Sequence, residues 1–259
     1  MTLPALPSSF AWTQTPVGFV LTCRPLESIA PHLFTTRDVS MSSPEEWNAI
    51  GAVIGAVGVA TVNQVHGREV VTIRNGVASG DARQDADVLV SNDPRVAIAV
   101  RAADCVPLLL ADRKTGAVAA VHAGWRGTAA GAAGAAVAAL ARDFSVVPQD
   151  LVAAIGPSIG PCCYEVGSEL VNAFAAAGHP RHLIDRWFSV RGTGIRGQGT
   201  GTLVLDVPGA NRDQLVLAGV PEEQIYLSGL CTAMHLDVLT SYRVEKAQAG
   251  RMAGVIRAR

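Results

Sequence analysis

Between Val57 and His122 the chain carries a dense series of strand-like runs, and nothing else in the sequence limits its fold as sharply. Val57–Val65 and Glu69–Ile73 are rich in β-branched residues and are separated at His66-Gly67 by a turn signal. Asp87–Ser91, Val96–Ala102, Val106–Ala111 and Val118–His122 follow, with intervals too short to place a helix between every pair. A regular strand–helix alternation is therefore excluded. Helix-forming sequence comes later, in the Ala-rich Gly127–Arg142, in Val166–Ala177, and in Pro208–Ala218 with its opening proline. These are interleaved with strand-like Leu151–Ile155, Leu203–Asp206 and Ile225–Ser228. Ahead of the block, His32–Arg37 reads as a short strand and Pro44–Ile54 as a helix; at the other end, Thr240–Ile256 reads as one or two closing strands joined near Gly250. The expected fold is α+β (mixed α/β), with a mixed sheet or central β-sandwich covered by helices.

At 259 residues, 49% of them hydrophobic, the chain is expected to form one large domain spanning 1–259. Ser189–Thr202 holds five glycines and no apolar periodicity, and reads as a flexible loop, either a solvated hairpin tip or a mobile lid. The formal net charge of −1 gives no electrostatic footprint of a nucleic-acid binder and leaves small neutral or anionic partners open. Met1–Phe10 lacks a basic region followed by an apolar one, and no later stretch offers the roughly 18 unbroken apolar residues of a membrane span. A soluble, cytoplasmic protein with no membrane partner is expected. Five scattered cysteines (Cys23, Cys105, Cys162, Cys163 and Cys231) argue against a disulfide framework, so any special cysteine should be a ligand or a nucleophile.

Reactive residues interrupt apolar runs in three places: Asn63–Gly67, Ala103–Pro107 and His122–Thr128. His66, Cys105 and His122 are all read at strand ends. If those ends converge, two imidazoles and a thiolate make a set suited to zinc, with a fourth position open; packed core residues are the alternative. Asp104 adjoins Cys105 but would face the other way on a regular strand. Gly124–Thr128 leads from a strand into a helix, where free N–H groups and Arg126 would suit phosphate; an ordinary glycine turn with Thr128 as N-cap is the other reading. Trp125 and Tyr164 are candidates for a pocket wall, although core packing is the default for a tryptophan. The stiff loop Gly156–Glu165 shapes one wall of a pocket. Its adjacent Cys162 and Cys163 are not expected to point into one metal site together, and so are read as structural.

Taken in order, NQVHG at 63–67, ADVLVS at 86–91, ADC at 103–105, HAGWRGT at 122–128, IGPSIGPCCYEVG at 155–167, CT at 231–232, SYR at 241–243 and GR at 250–251 resemble the laccase-domain family of purine nucleoside phosphorylases. That family is also called the polyphenol oxidase or peptidoglycan editing factor family, and the resemblance covers roughly residues 32–257. It implies zinc bound by His66, Cys105 and His122, and a β-sandwich flanked by helices, similar to the catalytic domains of cysteine-hydrolase toxins. It also implies phosphorolysis of adenosine, inosine, guanosine and methylthioadenosine, and hydrolytic deamination of adenosine, with purine nucleosides and phosphate as partners. Asp38–Gly55 departs from the family's pattern, being short and without a glycine before Gly51. Three other readings use the same residues. A Cys–His hydrolase or amidase acting in peptidoglycan precursor editing would use Cys105 as nucleophile and His122 as base, with His66 in support. A metal-stabilised binding module would turn nothing over. A copper-dependent polyphenol oxidase would need more histidines, in paired motifs, than the six present.

Overall fold

The computed structural model describes residues 3–74, 77–78, 84–192 and 201–259. In chain order the strands are β1 (Phe10–Thr15), β2 (Gly18–Cys23), β3 (His32–Thr35), β4 (Gly58–Ala60), β5 (Val70–Arg74), β6 (Val77–Ala78), β7 (Val88–Ser91), β8 (Val96–Ala102), β9 (Val106–Asp112), β10 (Val118–Ala123), β11 (Leu151–Ile155), β12 (Phe188–Arg191), β13 (Thr202–Leu205), β14 (Ile225–Leu227) and β15 (Met252–Arg257). The helices are α1 (Arg24–Glu27), α2 (Pro44–Val53), α3 (Trp125–Ala130), α4 (Ala132–Phe144), α5 (Ser168–Ala176), α6 (Arg181–Trp187), α7 (Val207–Leu217) and α8 (Tyr242–Glu245).

One sheet has the order β1-β2-β3-β15-β8-β4 and the other β14-β11-β9-β10-β7-β5-β6, while β12 and β13 pair apart from both. Most neighbours are antiparallel, with β4/β8, β5/β7 and β11/β14 parallel, so both sheets are mixed. Side-chain alternation explains how they stack. Along β9, Val106, Leu108 and Leu110 face the helices while Leu109 and Ala111 face the other sheet; along β10, Val121 and Ala119 alternate with Ala120 and Val118 in the same way. On β8 and β15, Ile98, Val100 and Ile256 face inward, and Ala97, Ala99 and Val255 turn to α2 through Ile50 and Ile54. Strands covered on both faces read as continuous apolar runs, the reason this block was recognisable as strand. The resulting layers are α2, sheet, sheet, and the group α3 to α7, the expected sandwich flanked by helices. At Gly156 the sheets approach so closely that a Cβ would collide with the ring of Phe34.

Several local expectations are corrected. Val57–Val65 forms a strand only over Gly58–Ala60. The single helix expected over Gly127–Arg142 begins at Trp125 and is broken at Gly131, which adopts φ +84 and ends α3. Thr128 is not an N-cap. Gly124 holds that position, and Thr128 is buried, donating its N–H to Gly124 O at 2.8 Å and accepting at Oγ1 from Asn211 of α7. In the tail, only Met252–Arg257 is strand. Tyr242–Glu245 is a helical turn because the Glu245 carboxylate reaches back to accept from Ser241 N and Thr240 Oγ1, a side-chain clasp that closes the turn. α6, which follows Pro180, buries Leu183, Ile184 and Trp187. Residues 189–191 and Thr202, read as loop, belong to β12 and β13, which pair antiparallel; residues 193–200, on which the tip and lid readings fall, lie outside the described residues. Among the described residues no helix is long and apolar enough to cross a membrane.

Candidate metal centre

His122, near the end of β10, lies on the face shared with Val118 and Ala120, turned toward the opposite sheet, and is buried. Cys105 immediately precedes β9, whose first residues pair with the end of β10, Val106 opposite Ala123 and Pro107 opposite His122. That antiparallel register brings the thiol and the imidazole to one sheet end. His66 comes from elsewhere: it is not at a strand end, as read, but in the turn between β4 and β5, at φ +63. Asp104 also has positive φ, at +87, which takes it off any regular strand. Such backbone is uncommon for non-glycine residues and persists where surrounding bonds hold it.

The bonds around His66 come from Asp87, a fully buried carboxylate just ahead of β7. Its Oδ1 accepts from His66 N at 3.0 Å, and its Oδ2 from Gly67 N at 2.6 Å and Val65 N at 3.2 Å. The same Oδ1 lies 2.7 Å from His122 Nδ1. One carboxylate thus shapes the turn that carries His66 and fixes the ring of His122, whose Nε2 is left to face the centre. The candidate ligand atoms of His66, Cys105 and His122 all lie within 4.8 Å of one another, and the two imidazoles meet edge to face at 4.9 Å. Gly124 makes room for this: a Cβ there would stand 2.8 Å from Cys105 Sγ and 3.1 Å from His66 Cδ2.

The electrostatics follow from this packing. Burial pushes the Cys105 thiol up, but hydrogen bonds to His122 and His66 outweigh it and bring the thiol down to about 6. Burial likewise opposes charge on His122, yet Asp87 and Cys105 hold it up at about 9. Asp87 is held below the usual carboxylate range, against its burial, by His122 and by the amides of Gly67 and His66. Two nitrogens, one readily ionised sulfur and a carboxylate behind one imidazole fit a borderline divalent cation.

Two cavities share His66 and Cys105 as lining. One, of about 310 Å³, is walled by Trp125, Arg126, Tyr164, Arg243 and Lys246; the other, of about 630 Å³, is bordered by Arg101, Tyr242 and Arg251. The Arg126 guanidinium lies 4.3 Å from the Trp125 ring centroid, and that of Arg243 4.9 Å from Tyr164. Trp125 combines both roles foreseen for it, packing on the core and lining the cavity. Burial, with Cys105 nearby, raises the Tyr164 phenol to about 12, so it stays neutral. The cavity thus joins a candidate metal centre to a cationic wall that suits an anion.

His66, Cys105 and the anticipated Arg126, Trp125 and Tyr164 therefore line one cavity, and His122 lines the other beside the same His66 and Cys105. Sequence reasoning missed Asp87, although an aspartate placed directly before an apolar strand is a signal that its carboxylate is buried and in use. It also missed how the tail reaches the site: Asp104 accepts from Thr232 Oγ1 and from Arg243 N, both at 2.5 Å. His32 and His179 serve packing. His32 Nε2 accepts from Cys23 N at 2.9 Å, and His179 Nε2 bonds Ala129 O beside Phe174 and Trp187. The expected divergence of Cys162 and Cys163 is overturned: in the tight turn starting at Gly160 their sulfurs converge with that of Cys231, all within 4.8 Å.

Fold and site together define a mixed two-sheet protein whose candidate metal ligands come from the loops and strand ends at one end of the sandwich's central strands. Residues 33–259 match the family model described as multi-copper polyphenol oxidoreductase laccase, and the chain belongs to that family. It is 37% identical over 179 residues to a purine nucleoside phosphorylase of Bacteroides thetaiotaomicron, covering 68% of this chain and 63% of that one. It is also 37% identical over 170 residues to the adenosine deaminase RL5 of an unknown prokaryotic organism, covering 66% and 61%. The chain thus spans under two thirds of the length of each of these relatives. The crystal structure of the Bacillus licheniformis hypothetical protein YfiH superposes with a TM-score of 0.81 at 25% identity, covering 93% of this chain and 96% of that one.

Proposed function

We propose that this chain is a zinc-dependent purine nucleoside enzyme, which cleaves adenosine, inosine, guanosine and methylthioadenosine by phosphorolysis and deaminates adenosine by hydrolysis. The observation that carries this reading is the convergence of His66, Cys105 and His122, of which His66 and Cys105 line a cavity whose other wall holds Arg126, Arg243 and Lys246. The names of the two relatives above, a phosphorylase and a deaminase, support it. Residues 1–259 act as one catalytic domain in this reading. When bound by His66, Cys105 and His122, zinc supplies a Lewis acid able to activate water or polarise an oxygen. The protein's own groups do the rest. Asp87 keeps His122 in one tautomer and orientation, Arg126 and Arg243 hold phosphate by charge-assisted hydrogen bonds, and Trp125 and Tyr164 wall the space for the nucleoside. A cavity of about 310 Å³ is within the size range of small-ligand pockets.

The test is product analysis of zinc-loaded protein incubated with adenosine, with and without phosphate, beside Cys105→Ala. Phosphate-dependent adenine and phosphate-independent inosine, both lost in the variant, are expected; no conversion under any condition refutes the reading.

One observation favours a second reading. A thiol held at about 6 beside an imidazole held at about 9, with Asp87 behind it, has the acid–base relations of a Cys–His nucleophile pair, as a hydrolase or amidase would use. Chelation separates the two. Activity lost to a chelator and restored by zinc supports the metal enzyme, whereas activity that survives chelation and dies on alkylation supports the thiol enzyme.

A further inference from the structure

We propose that Cys162, Cys163 and Cys231 form a second metal site, separate from the His66–Cys105–His122 centre, that takes a soft monovalent cation, copper(I). The three sulfurs lie within 4.8 Å of one another and none is in a disulfide. Backbone bonds, not side-chain flexibility, bring them together. The segment at Ser158 and the segment at Cys231 are stitched by a parallel bridge, in which Ser158 N donates to Leu230 O at 3.2 Å and Thr232 N to Ser158 O at 3.0 Å. In the adjoining turn, Cys163 N and Tyr164 N both donate to Gly160 O at 3.0 Å, and Gly160 N lies 3.3 Å from Cys231 Sγ. Two neighbouring cysteines are thereby curled toward a third on another loop.

The choice of cation follows from the donors. Three thiolates with no imidazole are softer than the two-nitrogen, one-sulfur set, and soft thiolate donors select copper(I). Structural zinc sites complete four ligands. Here the carboxylate bordering the adjacent 250 Å³ cavity, Asp206, is engaged as the cap of α7 through Gly209 N, and the rest of that wall is largely apolar, with Ile155, Leu227 and Leu230. Among the described residues only the three sulfurs are grouped there, which makes the proposed ion three-coordinate. Cys231 is buried while Cys162 is exposed, so the ion enters from solvent through Cys162. Each thiol that ligates releases its proton to solvent on binding.

The test titrates the reduced, metal-stripped full chain anaerobically with copper(I) against a chromophoric copper(I) chelator. The Cys105→Ala variant serves as parent, so that the first centre is disabled. The parent is expected to bind one copper(I) with only sulfur neighbours in its X-ray absorption spectrum. Adding Cys162→Ser or Cys231→Ser is expected to abolish that equivalent while leaving the circular dichroism spectrum unchanged. Cys162 is exposed, so its variant keeps the test valid even if Cys231→Ser fails to fold. No copper bound by the parent, nitrogen in its coordination sphere, or undiminished binding in the Cys162→Ser double variant would each overturn the proposal. This site stands independently of the nucleoside reading, and loss of nucleoside activity has no bearing on it.

Discussion

A carboxylate buried without partners would sooner be protonated than charged. Asp87 stays ionised because the amides of Val65, His66 and Gly67 and the ring of His122 all converge on it. Asp87→Asn turns an amide group toward those donors and loosens two of the three ligand positions at once. Zinc affinity is expected to fall by about 10–100-fold, read by competition with a chromophoric chelator; an unchanged affinity would show that Asp87 is structural only. Cys105 gives a second test, because the thiolate is the reactive form and its fraction rises as pH climbs through the folded pKa. In the metal-stripped protein, alkylation of Cys105, followed by peptide mass spectrometry, is expected to be half-maximal near pH 6 and to move up toward the ordinary thiol value of 9.0 in His122→Gln. A midpoint that does not move would separate the thiol from the imidazole. The candidate residues themselves stood out in the sequence because histidines and a cysteine beside apolar runs are conspicuous. Asp87 was not, since a lone aspartate at a strand start also reads as a turn residue.

Elements covered on both faces, such as β8 to β11, were legible as short, nearly continuous apolar runs too closely spaced to be helices. Elements set by tertiary bonds were not. The α8 turn depends on the Glu245 clasp, and the break between α3 and α4 on Gly131, which an Ala-rich context hides. That break has a function at this scale, since it lets the short α3 hold Trp125 and Arg126 at the cavity while α4 packs along the sheet. A Cβ on Gly131 meets nothing within 4 Å, so Gly131→Ala tests the left-handed backbone alone. The cost should be about 1–2 kcal/mol, or a few degrees in melting temperature, measured by calorimetry. No destabilisation would mean that the helix runs on through residue 131.

At the scale of the whole molecule, the ligands reach the centre from the turn after β4, the segment before β9 and the end of β10, and Asp104 ties the C-terminal tail to the same place through Thr232 and Arg243. An ion bound there cross-links segments that separate completely on unfolding. It therefore stabilises the native state by mass action, by about 4 kcal/mol at a thousandfold excess over its dissociation constant. The measurement is denaturant unfolding of Cys162→Ser protein, a background chosen to disable the second thiol cluster, with zinc and with chelator. The midpoint is expected to rise with zinc, with no change in the dependence on denaturant, and Cys105→Ala in the same background is expected to remove the rise. The rise is expected whichever chemistry the site performs, because it requires only that the three residues bind one ion in the folded chain and not in the unfolded one. Equal midpoints with zinc and chelator would mean that His66, Cys105 and His122 meet without holding a metal, and the thiol–imidazole pair would then be the working centre of the protein.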